Sequence, residues 1–152
     1  MIYCISKEME VAGSHQLPLS YESKCSRLHG HNWRITVFLA STSLNADGMV
    51  VHFKHVKEAI KGYLDHGNFN DLLPFNPTAE NIAAWVIEQI PECYKAIVRE
   101  SDGNVAQVTG TTAVAMRPIV QKATIGENEI TLGETIDLTQ VSNVFIKGIY
   151  KR

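Results

Sequence analysis

No run of about 18 consecutive apolar residues occurs anywhere in the chain, so no segment of it reads as a membrane-spanning helix. Cysteine is scarce. Cys4, Cys25 and Cys93 are odd in number and widely spaced, which excludes the disulfide framework of a small secreted scaffold and fits a reducing cytoplasm. A secretory leader is not expected either, because Lys7 and Glu8 interrupt the first residues before an apolar stretch can build up. Positive charge is not in excess: fourteen Lys and Arg stand against sixteen Asp and Glu, a net charge of -2. Binding to nucleic acid through backbone neutralisation needs the opposite balance, so neither a nucleic acid nor a membrane is an expected partner. No internal repeat or low-complexity segment appears. What remains is an ordinary globular composition, 45% apolar and 20% charged over 152 residues, enough for one domain that buries ~70% of its unfolded surface.

Along the chain, Tyr3, Ile5, Lys7, Met9 and Val11 fall on one side of an alternating run, which predicts a half-buried strand over residues 2–11 that Gly13 and Ser14 then loosen. Residues 16–27, polar and carrying Pro18, predict a loop. Trp33, Ile35, Val37 and Leu39 alternate with Arg34, Thr36 and Phe38 in a second strand over 32–41, and a turn at Asn45, Asp47 and Gly48 leads to further extended structure over 49–53. From Phe53 the period becomes helical through Val56, Ile60 and Leu64, ending near Asp65 to Gly67. A second helix is capped by Thr78, carries Ile82, Trp85, Val86 and Ile90, and closes at Pro91. Strands over 94–100 and 105–108 flank an Asp102-Gly103-Asn104 turn, and short β-like runs follow at 112–116, 129–132 and 144–150. The expected fold is α+β, with two helices on one face of an antiparallel sheet.

Three histidines bear on one point: His15 after the first strand, and His29-Gly30-His31 before the second. Pairing of the two strands would bring all three together. Residues two apart on an extended chain project to one side, and three neutral imidazoles with an open fourth position are a ligand set of catalytic zinc. An isolated His-x-His is more often an ordinary loop feature, so the reading depends on its company. Cys25, four residues before His29, is open to two roles: a fourth ligand that closes a structural zinc site, or an unligated thiol acting as nucleophile or base once neighbours favour its thiolate. Cys4 and Cys93 suit small apolar fillers. Asp65-His66 could form an acid-base pair at a helix end, although such a pair is commonly just a solvated terminus. Glu100 shares its strand face with Ala96 and Val98, so a carboxylate stands where a core residue is expected, and a ligand with two adjacent N–H groups would satisfy it. His52 and His55 read as surface or hinge residues.

Taken together, His15, Cys25-x-x-x-His29-Gly30-His31, Gly48-Met49-Val50, Leu64-Asp65-His66, Pro77-Thr78-x-Glu80-Asn81 and Glu100-Ser101 resemble the 6-pyruvoyl-tetrahydropterin synthase and 6-carboxytetrahydropterin synthase family over residues 1–110. The resemblance implies a tunnelling fold (T-fold) whose subunits form a β-barrel oligomer, a homotrimer or homohexamer, with active sites between subunits. It implies Zn2+ held by His15, His29 and His31, Cys25 as the catalytic thiol, Asp65 and His66 as an acid-base pair contributed across an interface, and Glu100 as the substrate-binding residue that anchors a pterin. The implied substrate is 7,8-dihydroneopterin triphosphate. The Cys-x-x-x-His-Gly-His spacing is similar to the bacterial branch that releases acetaldehyde and triphosphate and makes 6-carboxy-5,6,7,8-tetrahydropterin for queuosine, a cytoplasmic lyase activity. The alternatives are 6-pyruvoyl-tetrahydropterin synthesis or a related pterin aldolase activity, and, in another class, a non-enzymatic zinc module closed by Cys25. His52 departs from the pattern, standing where an Asp is usual, and residues 111–152 form a C-terminal extension expected to be β-rich and part of the same domain.

Overall fold

The computed structural model describes residues 1–110, 122–125 and 128–131. By its internal contacts the chain divides into two units, Met1–Gly110 and Thr111–Arg152. The first unit is built on a five-stranded sheet in the order β3-β1-β2-β4-β5, formed by β1 (Tyr3–His15), β2 (His29–Ser41), β3 (Gly67–Asn68), β4 (Cys93–Ser101) and β5 (Asn104–Thr109). Three helices accompany it: α1 (Phe53–Leu64), the one-turn α2 (Phe69–Leu72) and α3 (Ala79–Glu88). In the second unit, β6 (Lys122–Ile125) and β7 (Asn128–Thr131) pair antiparallel. The expected runs over 112–116 and 144–150 lie outside the described residues.

Alternation decides which sheet face is covered. Met9 and Val11 of β1, Trp33, Ile35, Val37 and Leu39 of β2, and Ala96 and Val98 of β4 are buried on one face, while Glu8, Glu10, Arg34 and Arg99 are exposed on the other. Val56, Ile60 and Leu64 of α1 and Ile82, Ala83, Val86 and Ile87 of α3 close the same core. Both helices start at side-chain caps. Thr78 Oγ1 accepts from the Asn81 N–H at 3.3 Å, and His52 Nδ1 accepts from the Lys54 N–H at 3.0 Å. His52 therefore does the capping work of an Asp at the head of α1.

Several expectations are corrected. The first two strands are longer than their alternation suggested, since β1 continues through Gly13 and Ser14 to His15 and β2 begins at His29. A long two-stranded ladder tolerates small residues that would weaken a lone strand, and here every residue from Tyr3 to His15 has a partner on β2. Residues 49–52 form no strand, because β2 is already flanked by β1 and β4 and has no free edge. The sheet is mixed rather than purely antiparallel: β3, only two residues long, pairs parallel to β1. Cys93 is buried, whereas Cys4 is exposed on the outer face and fills no core.

Candidate active site

The buried rows of three adjacent strands run out of apolar residues at one end of the sheet. On β1 the row Met9, Val11, Gly13 ends in His15; on β2, read backwards, Ile35 and Trp33 lead to His31 and His29; on β4, Ala96 and Val98 lead to Glu100. Register makes them meet, because His15 pairs with His29 and Gly13 with His31. A bulge between Arg99 and Ser101 leaves Glu100 outside the β4–β5 pairing, the kind of local break that re-aims a side chain.

The imidazoles converge with a defined polarity. One ligand atom from each of His15, His29 and His31 lies within 4.8 Å of the others. His15 is fully buried, and its Nδ1 is 2.9 Å from the carbonyl oxygen of buried Pro77. The Nδ1 of His29 is 2.7 Å from the carbonyl oxygen of Arg27. Each carbonyl can only accept, so each Nδ1 carries the proton and each Nε2 presents a lone pair. Those two Nε2 atoms face one another at 3.2 Å. The Nε2 of His31 is buried with no hydrogen-bond partner. Burial pushes His15 below the ordinary histidine pKa, with His29 and His31 adding to it, against the Pro77 carbonyl and Glu100, which pull the other way. Burial lowers His31 too, assisted by His29 and opposed by Glu100. Three converging imidazoles, two of them with inward lone pairs and outward protons, fit a divalent cation, with the two backbone carbonyls as the outer support. Trp33 lies beneath His15 and His31 at centroid distances of 4.9 and 5.3 Å and fixes their rings.

Glu100 adjoins this group, with Oε1 3.4 Å from His15 Nε2 and 3.9 Å from His31 Nε2. Cys25 does not join it. It sits exposed in a 3-10 turn, Lys24–Ser26, inside the segment expected to be loop, and its carbonyl accepts from the Leu17 N–H at 2.8 Å. The thiol turn is thus fastened two residues beyond His15, and Lys24 and Arg27 beside it are exposed.

Asp65 and His66 follow the C-terminal end of α1. Asp65 Oδ1 accepts from the Ala12 N–H of β1 at 3.0 Å, and Oδ2 is 3.1 Å from Lys61 Nζ. Burial alone would raise its pKa, but the Ala12 hydrogen bond, then Lys61 and His66, more than offset it and hold the carboxyl below its usual range. His66 has a φ of 60°, its N–H donates to the Ala12 carbonyl at 2.6 Å, and its side chain is 83% exposed. Its ring nitrogen Nε2 is 3.8 Å from Asp65 Oδ2. Together with His31, Asn32 and the small residues Gly13, Ser14 and Gly30, His66 borders an open cleft of about 610 Å³.

Sequence reasoning missed Pro77, Arg27 and Trp33 as supports of the imidazoles, and Ala12 and Lys61 as partners of Asp65. Only Trp33 carried a usable signal, because it continues the alternating row that ends in His31 and His29.

A family described as 6-pyruvoyl tetrahydropterin synthase matches residues 4–111. The chain belongs to that family. It is 40% identical over 100 residues to the 6-carboxy-5,6,7,8-tetrahydropterin synthase of Synechocystis sp., covering 60% of this chain and 77% of that one. The 6-pyruvoyl tetrahydrobiopterin synthase of Homo sapiens is 28% identical over 131 residues, 70% of this chain and 90% of the human one. Among solved structures, Caenorhabditis elegans 6-pyruvoyl tetrahydropterin synthase superposes with a TM-score of 0.60 at 22% identity, covering 72% of this chain and 96% of that one. The α+β fold expected from the sequence is therefore that of this family.

Proposed function

We propose that this chain is a zinc-dependent lyase that converts 7,8-dihydroneopterin triphosphate into 6-carboxy-5,6,7,8-tetrahydropterin, acetaldehyde and triphosphate. The observation that carries the reading is the convergence of His15, His29 and His31, with the Nδ1 protons of His15 and His29 held by backbone carbonyls and their Nε2 lone pairs facing one another. It is supported by the name of the Synechocystis relative, a 6-carboxy-5,6,7,8-tetrahydropterin synthase. The three histidines would hold Zn2+, which supplies Lewis-acid polarisation of the substrate's side-chain oxygens and so acidifies the neighbouring C–H. Cys25 takes that proton as general base, from an exposed turn that also carries Lys24 and Arg27. Asp65 fixes His66, and His66 moves protons at the exposed corner. Glu100 accepts hydrogen bonds from the pterin's amino and ring N–H groups. Lys24 and Arg27, exposed beside the thiol, would neutralise the triphosphate, whereas the exposed Arg34 lies on the outer face of the sheet.

Cys25 and His66 are both exposed within one protomer, and neither contacts the imidazoles, which supports a site completed by a second copy in a trimer or hexamer. Residues 1–110 would form the catalytic unit and 111–152 an extension to it, in a cytoplasmic enzyme of queuosine biosynthesis. A second reading, 6-pyruvoyl-tetrahydropterin synthesis, is favoured by the family description and the human relative. A closed structural site is disfavoured, because Cys25 is not among the converging ligand atoms. Incubation of the pure protein with 7,8-dihydroneopterin triphosphate separates the readings: acetaldehyde with a 6-carboxy product supports the first, a 6-pyruvoyl product establishes the second, and a zinc-loaded protein with no turnover returns the closed module to favour.

A further inference from the structure

The chain leaves β1 through a clamp that no strand supplies. On one side of β1, β3 pairs only with Gly13 and Ser14, and after Asn68 the backbone turns into α2. Asn70 takes over the pairing with its side chain. Its Oδ1 accepts from the Gln16 N–H at 2.8 Å and its Nδ2 donates to the Gln16 carbonyl at 2.8 Å, so one carboxamide serves both backbone groups of the residue after His15. A carboxamide carries an acceptor and a donor side by side, as a strand edge does. Asn70 is itself held, because its N–H donates to Asn68 Oδ1 at 3.2 Å and its neighbour Phe69 is fully buried. One residue beyond the clamp, the Leu17 N–H donates to the Cys25 carbonyl at 2.8 Å. Among the described residues, the other hydrogen bonds of the thiol turn's own backbone are local: Cys25 N–H to Ser23 Oγ, Ser26 N–H to the Ser23 carbonyl, and Arg27 N–H to the Lys24 carbonyl. Leu17 is thus the turn's tie to the end of β1, and Leu17 stands where clamped Gln16 puts it.

We infer that Asn70 is a positioning residue for the proposed reaction: by clamping Gln16 it sets Leu17, and through Leu17 it sets the place of the Cys25 turn. This rests on the reading of Cys25 as the base that takes the substrate's proton. The corner is fastened to the same stretch of chain, since Asp65 accepts from Ala12, Gly67 and Asn68 pair with Gly13 and Ser14, and Asn70 holds Gln16. Two exposed groups, the thiol and the His66 ring, are thereby referred to one short segment, residues 12–16. Such referral matters for proton transfer, where a misplacement of about 1 Å can cost roughly a hundredfold in rate. The position asks for Asn in particular. An Asp would keep the bond from the Gln16 N–H but has no donor for the Gln16 carbonyl, and a Gln would overshoot by one methylene.

Full-length wild type, Asn70→Ala, Asn70→Asp and Tyr63→Phe separate positioning from general loosening of α2. Tyr63→Phe removes the hydroxyl that donates to the Leu72 carbonyl at 2.8 Å, at the other end of α2, and leaves the clamp intact. Amide exchange followed by NMR should be roughly tenfold faster at Leu17 in Asn70→Ala, with the mid-strand amides of β1 unchanged. With 7,8-dihydroneopterin triphosphate, kcat of Asn70→Ala should fall roughly tenfold to a hundredfold at nearly constant KM. Asn70→Asp should lie between it and wild type in both measurements, and it carries the test if Asn70→Ala does not fold. Tyr63→Phe should stay near wild type in both. Unchanged Leu17 exchange in the Asn70 variants, an unchanged kcat despite faster exchange, or an equal loss of kcat in Tyr63→Phe would each overturn the positioning role. A wild type that leaves this substrate unconverted would sink the functional reading by itself, and Leu17 exchange alone then decides whether Asn70 places the turn.

Discussion

The imidazole end of the β1–β2 ladder and the corner after α1 are built in opposite ways. His15 is fully buried, His15 and His29 are each held at Nδ1 by a backbone carbonyl, and Trp33 packs beneath the group. At the corner, the Asp65 carboxylate is tied to Ala12 and Lys61, but the His66 ring is 83% exposed and touches little besides Asp65. Cys25 shares that exposure. Of the three imidazoles His15 lies in the core, where packing locks its rotamer, and the half-buried His29 and His31 are held against it and Trp33. Groups proposed to move protons stand exposed on turns. On the proposed reading, one chain carries a finished half-site and an unfinished one.

The largest effect should come from breaking the finished half. His29→Ala removes one of the facing Nε2 atoms and leaves His15 without its neighbour, so the purified variant should contain little zinc and no measurable turnover. Elemental analysis checks the first result and product assay the second. A variant that keeps stoichiometric zinc would place the metal elsewhere.

Cys25→Ala should break only the unfinished half. We expect near-stoichiometric zinc with most turnover lost, because the thiol lies outside the converging ligand atoms. Loss of zinc as complete as in His29→Ala would identify Cys25 as a ligand. The unfinished half also makes a geometric prediction: inactive Cys25→Ala and His66→Ala proteins, mixed under conditions of verified subunit exchange, should regain part of the activity through hybrid oligomers. No recovery would mean that the two residues serve sites within one protomer.

The two regions differ also in how far the amino-acid sequence discloses them. The alternating rows of β1, β2 and β4 already contain His15, His31, His29 and Glu100 if each row is simply continued, and the motif spacing points to the same residues. What periodicity hides is how far the ladder extends, because Gly13, Ser14 and Gly30 look like breakers until cross-strand pairing supports them. The α1 corner is less legible. A left-handed backbone is expected of Gly or Asn, and at His66 only the carbonyl of Ala12, distant in sequence, holds it there. The two-residue β3 and one-turn α2 are too short for any period, and exist because Gly67 pairs with β1 and Phe69 fills the core.

Gly13 links the two halves and sharpens the comparison at the level of stability. It lies in the inward row opposite His31, and the buried ring of Phe69 occupies the space where a Cβ would stand. Its carbonyl accepts from Trp33 Nε1 at 3.3 Å. Phe69 is fully buried and cannot give way cheaply, so Gly13→Ala should cost about 1–3 kcal/mol, read as a fall in Tm of several degrees. Zinc affinity should weaken with it, since β1 would have to shift beside His15. A variant with unchanged Tm would show that Phe69 has another place to go.

The smallest effect belongs to Asp65→Asn, and its pH dependence carries the information. The folded protein holds this carboxyl below its ordinary pKa through Ala12 and Lys61, so ionised Asp65 favours the folded state. That contribution is present above the unfolded carboxylate pKa of about 3.9 and is lost as pH falls through the lower folded value. The substituted amide would still accept from Ala12 but would lose the attraction to Lys61, and because Lys61 is 31% exposed the difference should stay near or below ~1 kcal/mol. Thermal melts at neutral pH should therefore place Asp65→Asn slightly below wild type, and the gap should narrow steadily below about pH 4. A gap that is constant with pH would mean that the Ala12 hydrogen bond, rather than charge, anchors α1 to β1. The corner would then owe its position to the same kind of backbone tie that fixes His15 and His29, and only the exposure of the His66 ring would separate the two halves.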